Sequence, residues 1–350
     1  MIVVGKTDSI LLWLRCICIG VAIIMVVGGI TRLTDSGLSM VDWRPVMGIL
    51  PPLTDADWEE VFASYQQIPQ GKYTGVATTM DEFKSIFFWE YLHRILGRLV
   101  GLICLLPYLW LLWKDKLSKA LKVKGLCLVV LVVLQGLIGW YMVKSGVDPG
   151  TTLVKVSHYR LALHLSLAFA LFGLAWWMIL DLHKGKERGG GLCKLRFWAM
   201  ILLGVFCLQV IYGAFVSGLK AGYGFNTFPR MGVEWVPAFL FQQEPFWRNL
   251  LEDPFTMQFI HRWIGTCLTM ATVGLGAFAL RSGLLDATQH RNAIWLLVLV
   301  LVQFALGVST LLFLPDVRIV LPIIHQLVAL FLFTAFLSFI HSLGDSTLEQ

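Results

Sequence analysis

Residues 85–113 read SIFFWEYLHRILGRLVGLICLLPYLWLLW, a run apolar enough and long enough to cross a bilayer, yet Glu90, His93, Arg94 and Arg98 sit in its first half. A hydrocarbon layer about 30 Å thick takes about 20 residues of helix, and ionisable groups at that depth need partners or a purpose. The surrounding composition settles the class. Hydrophobic residues make up 57% of the 350, charged residues 14%, and the mean hydropathy is +0.74, a balance foreign to a water-soluble globule. The chain reads as an all-α polytopic membrane protein.

Eight stretches meet the length requirement, at roughly 10–30, 85–113, 121–143, 155–180, 197–219, 255–281, 292–314 and 318–343. The first ends in Val-Val-Gly-Gly-Ile-Thr-Arg with no small-x-small cleavage site, so it reads as a transmembrane helix rather than a signal peptide. Cytoplasmic loops hold the excess of lysine and arginine. Lys114, Lys116, Lys119, Lys122 and Lys124 crowd one connection, and Lys184, Lys186, Arg188, Lys194 and Arg196 another. The 31–84 loop instead holds Asp35, Asp42, Asp55, Asp57, Glu59, Glu60, Asp81 and Glu82 against four basic residues, and is expected outside with the 220–254 loop. Both termini are therefore expected in the cytoplasm. The net charge of +6 follows from this inside bias and gives no ground for a nucleic-acid partner. All seven cysteines lie in expected helices or on the cytoplasmic side, so no structural disulfide is expected.

The chain repeats itself. Trp89-Glu90-Tyr91-Leu92-His93-Arg94-Ile95-Leu96-Gly97 aligns with Met257-Gln258-Phe259-Ile260-His261-Arg262-Trp263-Ile264-Gly265 at an offset of 168, which also sets Gln135 on Gln303 and Gly139 on Gly307. The eight transmembrane helices group into two pseudo-symmetric four-helix bundles, residues 1–183 and 184–350. An even number of crossings makes the halves run the same way, unlike inverted transporter repeats.

His93, His164, His261 and His325 lie on the even-numbered spans, about two turns in from the outer end, so each half offers two imidazoles at matching depth. Each is followed at i+4 by a small residue on the same face: Gly97, Ala168, Gly265 or Ala329. Such relief suits a planar macrocycle gripped from both sides, and heme iron is held by axial histidines in bundle cores. Bis-imidazole ligation of heme iron by these four is the inference; buried histidines in interhelical hydrogen bonds are the plainer alternative. His158, His183, His290 and His341 lie near membrane ends or in loops and read as ordinary residues.

These stretches also carry a resemblance. The segment GGITRLTDSGLSMVDWRPVMGILPP (28–52), the EYLHR and FIHR boxes, YRLALHLSLA and LPIIHQ are similar to the heme A synthase family, in its mitochondrial and alphaproteobacterial branch, over nearly the whole chain. The resemblance implies an oxidoreductase that converts heme O to heme A, oxidising a ring methyl to a formyl group by successive hydroxylation steps, with heme b as a bound cofactor relaying electrons. Some bacterial members have a cysteine pair in the first outer loop of a half; this chain has none in its outer loops, so a thiol relay is not expected. Arg32 and Asp35 become residues at the mouth of the site on the same family grounds.

One asymmetry separates the halves: Glu90 stands three residues before His93, and Gln258 three before His261. A carboxylate thus faces the first site and a neutral amide the second. Residues 1–183 are expected to hold the substrate heme on His93 and His164, with Arg94 and Arg98 as partners for its carboxylates. Glu90 is the catalytic residue there, taking protons or stabilising positive charge at the methyl carbon. Residues 184–350 are expected to hold heme b on His261 and His325, with Arg262 as cationic partner. An ion pair between Glu90 and Arg94 at i, i+4 is the structural alternative.

The outer loops, with Trp43, Pro51, Pro52, Trp58, Trp235 and Pro237, are too long for mere connectors; they cap the sites, bind a partner or mark the interface. Expected partners are heme O, a heme O synthase that supplies it, a membrane electron acceptor and the lipid bilayer; a homo-oligomer is compatible. The expected location is the inner (plasma) membrane of a bacterium, in preference to the mitochondrial inner membrane. Two rivals remain at this point. A bis-histidine b-type cytochrome would use the same histidines and leave Glu90 idle, and a transporter would need a pathway between the halves.

Overall fold

The structure is a computed structural model that describes residues 6–42, 49–183 and 192–344. Trp43, Lys184, Lys186 and Arg188 lie outside the described residues. Among the described residues eight helices are long and apolar enough to cross a bilayer: α1 (Lys6–Leu33), α4 (Met80–Trp113), α5 (Lys119–Val147), α6 (His158–Leu182), α7 (Cys193–Gly218), α9 (Pro254–Arg281), α10 (Ala287–Phe313) and α11 (Val320–Ser342). The short helices α2 (Asp55–Gln67), α3 (Pro69–Tyr73) and α8 (Trp247–Leu251) lie in the two long connections.

Local chemistry sets where the spans begin. Thr79 caps α4 and Glu82 reaches back to the cap amide, a reciprocal box that starts the helix at Met80 rather than at 85. Asp286 and Gln289 do the same for α10, while Asp253 caps α9 with Pro254 at its first position. After α1, Asp35 takes a left-handed conformation, φ 55°, which a short polar side chain tolerates at such a stop.

The polarity is inverted relative to a soluble protein. Leu102, Leu106 and Leu109 of α4, Val133 and Leu137 of α5, and Leu301 and Val302 of α10 are exposed, whereas Thr31, Glu90, Gln258 and Thr272 are buried. Backbone groups satisfied within helices, with apolar side chains outward, make a multi-pass membrane protein.

One compact unit is Ile19–Leu171, and the other is Met1–Cys18 together with Phe172–Gln350. In the first, the described residues of the connection between α1 and α4 fold over a core of Leu38, Tyr65, Ile68 and Ala77, into which the early turns of α4 insert Phe83, Ile86 and Phe87. Trp58 packs edge-on against Phe83 and Phe87, at 6.4 and 5.0 Å between ring centroids, so it is a packing residue of this cap. Full burial of Phe83 contributes on the order of 1.5–3 kcal/mol. In the second unit α7, α9, α10 and α11 form a bundle; Phe206 stacks on Phe333, and Trp235 of the 219–253 connection rests against Trp263 at 6.3 Å.

Candidate functional site

Each of the four histidines stands with the edge of its ring against a glycine of the span that precedes it. A Cβ added to Gly28 would lie 2.9 Å from Cε1 of His93, one on Gly139 3.0 Å from His164, one on Gly213 3.1 Å from His261, and one on Gly307 3.0 Å from His325. Any side chain at these positions would push on the imidazole. The motif occurs twice in each compact unit, on α1 and α4, α5 and α6, α7 and α9, α10 and α11.

Four residues before three of these glycines, and so on the same helix face, a glutamine reaches the same ring. Nε2 of Gln135 lies 3.2 Å from Nε2 of His164 and donates to the His164 carbonyl at 3.1 Å. Gln209 meets His261 in the same way, at 3.4 and 2.9 Å, and Gln303 lies 3.3 Å from Nε2 of His325. The fourth such place, beside His93, is Ile24. Only Gln135, Gln303, Gly139 and Gly307 stood out in the sequence, through the 168-residue offset. Yet QGLIG (135–139), QVIYG (209–213) and QFALG (303–307) share one spacing that a search at helical period would have found.

Two of the small residues at i+4, Gly97 and Gly265, stand against a side chain of the neighbouring helix. A Cβ on Gly265 would lie 2.8 Å from Nε2 of Gln209, and one on Gly97 3.5 Å from Cδ1 of Ile24. The relief at Gly97 and Gly265 receives the neighbouring helix's side chain, because the two helices approach closely at that turn.

The Nδ1 atoms of His93, His164, His261 and His325 are buried without a hydrogen-bond partner, as are Oε1 of Gln135, Gln209 and Gln303. An unpaired buried polar atom costs about 1–3 kcal/mol, so four of one kind point to a ligand. The rings of His93 and His164 are near enough to interact electrostatically, and so are those of His261 and His325. Among the described residues no three His, Cys, Asp or Glu side chains converge on a metal-ion site. Pairs of imidazoles, each with an unpaired nitrogen, are the donor set of a bis-histidine heme, and the residues fit that group.

Glu90 is buried, and its carboxylate is fully engaged. Oε1 accepts from Nη2 of Arg94 at 2.6 Å, and Oε2 accepts from Oγ of Ser39 at 2.7 Å and from the Met40 amide at 2.9 Å. Arg94 also donates to the carbonyls of Met40 and Asp42, at 2.8 and 3.2 Å. In the other unit, Nε2 of Gln258 donates to the carbonyls of Phe225 and Gly222 at 3.1 and 3.4 Å, and Arg262 to those of Phe225, Thr227 and Arg230 at 2.6, 2.7 and 3.2 Å. Glu90 and Gln258 therefore meet their connections with opposite polarity, while both arginines donate to carbonyls. Ser39 and Met40 present donors, which a carboxylate accepts; Gly222 and Phe225 present carbonyls, which an amide can meet as donor.

Replacing Arg262 by glutamine removes three charge-assisted bonds and should loosen the 219–253 connection. Trypsin cleavage at Lys220 or Arg230 is expected to quicken on the order of tenfold, measured on the detergent-purified protein.

Arg98 lies half-buried one turn beyond Arg94. Arg32 and Asp35 face each other at 3.6 Å, and the Asp35 carbonyl accepts from the buried Gln70 at 3.0 Å, which ties the stop of α1 to α3. Of the remaining histidines, His341 is buried and pairs with Asp181 at 3.0 Å, while His183 bonds the Ile179 carbonyl at 2.8 Å.

The family model for cytochrome oxidase assembly proteins, COX15-CtaA, matches residues 11–337. A protein named heme A synthase from Nitrosospira multiformis is 41% identical over 348 residues, covering 97% of this chain and 96% of that one. Proteins of the same name from Rhodopseudomonas palustris and Nitrosomonas eutropha are 40% and 39% identical over 323 and 330 residues; the matches cover 92% and 93% of this chain and 87% and 91% of theirs.

Proposed function

From the premise that the chain belongs to the COX15-CtaA family of cytochrome oxidase assembly proteins, we propose a division of labour between its two pairs of imidazoles. The activity is that of the heme A synthases it resembles along most of its length, so the chain is an enzyme of heme A biosynthesis rather than an electron-shuttling cytochrome. It oxidises the ring methyl of heme O to the formyl group of heme A. The proposal assigns heme O to His93 and His164, in residues 1–183, and heme b to His261 and His325, in residues 184–350.

The observation that supports this order is the placement of charge. Glu90 is the buried carboxylate one turn before His93, where the second unit has the neutral Gln258. Oxidation of a methyl group with water as the source of oxygen releases two electrons and two protons at each step, first to an alcohol and then to a hydrated aldehyde that loses water. When bound, heme b supplies the relay for the electrons toward an acceptor in the membrane. Glu90 takes protons or stabilises positive charge at the methyl carbon, and its bonds to Arg94, Ser39 and Met40 fix where the carboxylate stands. Arg98 and Arg262 are partners for heme carboxylates in this reading. A heme O synthase supplies the substrate.

Extraction and chromatography of the hemes that co-purify tests the assignment. Heme b together with heme O, heme A or a hydroxylated intermediate is the expected result; heme b alone would overturn the two-site reading.

The orientation proposed places residues 31–84 and 220–254 outside a bacterial plasma membrane and both termini in the cytoplasm. An impermeant thiol reagent should label a cysteine placed at Ser64 or Val233 from outside, and should not reach one placed at Lys119. Labelling of the Lys119 position from outside would reverse the topology.

A further inference from the structure

Three of the four imidazoles meet a glutamine amide, and the fourth meets an isoleucine. Ile24 occupies the place of Gln209 in other respects. It fills the notch at Gly97 as Gln209 fills the one at Gly265, and Gly28 seats His93 as Gly213 seats His261. The main-chain carbonyl of Ile24 lies beside the His93 ring, as those of Gln209 and Gln303 lie beside theirs. The helix geometry is thus retained, and only the side-chain amide is missing.

The amide matters because an imidazole that gives one nitrogen to iron must place the other. A glutamine turned about its last bond presents either its N–H₂ or its oxygen to the ring. The oxygens of Gln135, Gln209 and Gln303 are buried and without a partner; turning the amide brings the oxygen to the ring N–H, and for Gln135 and Gln209 this exchanges the donor bond to the histidine carbonyl for one to the ring. Such a bond fixes the tautomer and raises the basicity of the ligand, and its loss typically costs about 10- to 100-fold in metal affinity. The isoleucine side chain can neither donate nor accept, so His93 has the main-chain carbonyl of Ile24 alone, whereas His261 and His325 each have a carbonyl and an amide.

We propose that Ile24 is a specificity-determining residue: by denying His93 an amide it makes the His93 and His164 pair the weaker of the two in holding a porphyrin. The His93 and His164 pair then releases its porphyrin, while the His261 and His325 pair, with an amide on each ring, retains its own. A substrate heme has to leave as product; a cofactor heme has to stay. The proposal rests on the assignment of the substrate to residues 1–183.

The test loads the purified protein with hemin and follows transfer to excess apomyoglobin. Wild type should lose one heme quickly and one slowly. Ile24→Gln should slow the fast phase about 10- to 100-fold, Ile24→Leu should leave it unchanged, and Gln209→Ile should speed the slow phase. A fast phase unaltered in a well-folded Ile24→Gln protein overturns the proposal. Should that variant fail to accumulate, an unaltered slow phase in Gln209→Ile does so. His93→Ala and His261→Ala, run alongside, identify the phases. If His261→Ala rather than His93→Ala removes the fast phase, the assignment of the halves fails, and the proposal fails with it.

Discussion

Alanine in place of His261 or His325 is expected to strip the stably bound heme b from the purified protein and, with it, the low-spin spectrum. Each ring is seated against a glycine and faces a glutamine, so its position does not depend on the heme. Removing it leaves a preformed gap and one axial ligand, and a porphyrin held from one side only exchanges far faster. His93→Ala or His164→Ala should leave that heme in place and abolish conversion of heme O. The check is heme content by pyridine hemochrome beside heme A formation in membranes. If the first-unit variants lose the permanent heme and the second-unit variants keep it, the roles of the two pairs are exchanged.

The second large effect is expected at Glu90. Glu90→Gln should form little or no heme A, because an amide cannot accept a proton in the relevant pH range. The structure adds a consequence that sequence did not give. Ser39, the Met40 amide and Arg94 all donate to the carboxylate, so an amide nitrogen there would face a donor. Breaking a buried pair from one side costs about 3–5 kcal/mol, and the carbonyls of Met40 and Asp42 soften this by keeping Arg94 partnered. The variant is therefore expected to accumulate at lower yield and retain heme b. Glu90→Asp should be slowed on the order of a hundredfold, since shortening the side chain moves the carboxylate by about 1 Å. The double variant Glu90→Gln, Arg94→Gln separates the two roles. Restored yield without restored heme A formation is the expected result. Near-normal heme A formation by either glutamine variant would confine Glu90 to anchoring the loop.

Some of this was readable in the order of residues alone. Eight apolar runs, the lysine-rich connections and the 168-residue repeat are one-dimensional signals: a bilayer imposes a minimum length on every crossing, and duplication leaves the same letters at a fixed distance. The four histidines stood out for the same reason, since a polar group in an apolar run is conspicuous whatever it touches. Trp58 was ambiguous, because an aromatic in an outer loop looks the same whether it meets lipid, a partner or its own core. Only packing against Phe83 and Phe87 made it part of the cap.

The sequence by itself determined the class, the spans, the repeat and which residues are chemically able to serve iron. Tertiary structure alone decided what each of them touches. Gly28 and Gly213 are unremarkable glycines in apolar helices until the rings of His93 and His261 are found against them. Glu90 and Gln258 look like a charged residue and its neutral remnant, but the loop facing one presents donors and the loop facing the other presents carbonyls. Ile24 is one apolar residue among many in α1 until it occupies the place of a glutamine beside an imidazole. The reason is physical: the length of an apolar run and its helical period are set by neighbours along the chain, whereas burial and the partner of a hydrogen bond are set by whichever helix or connection packs across, and that segment is far away in sequence.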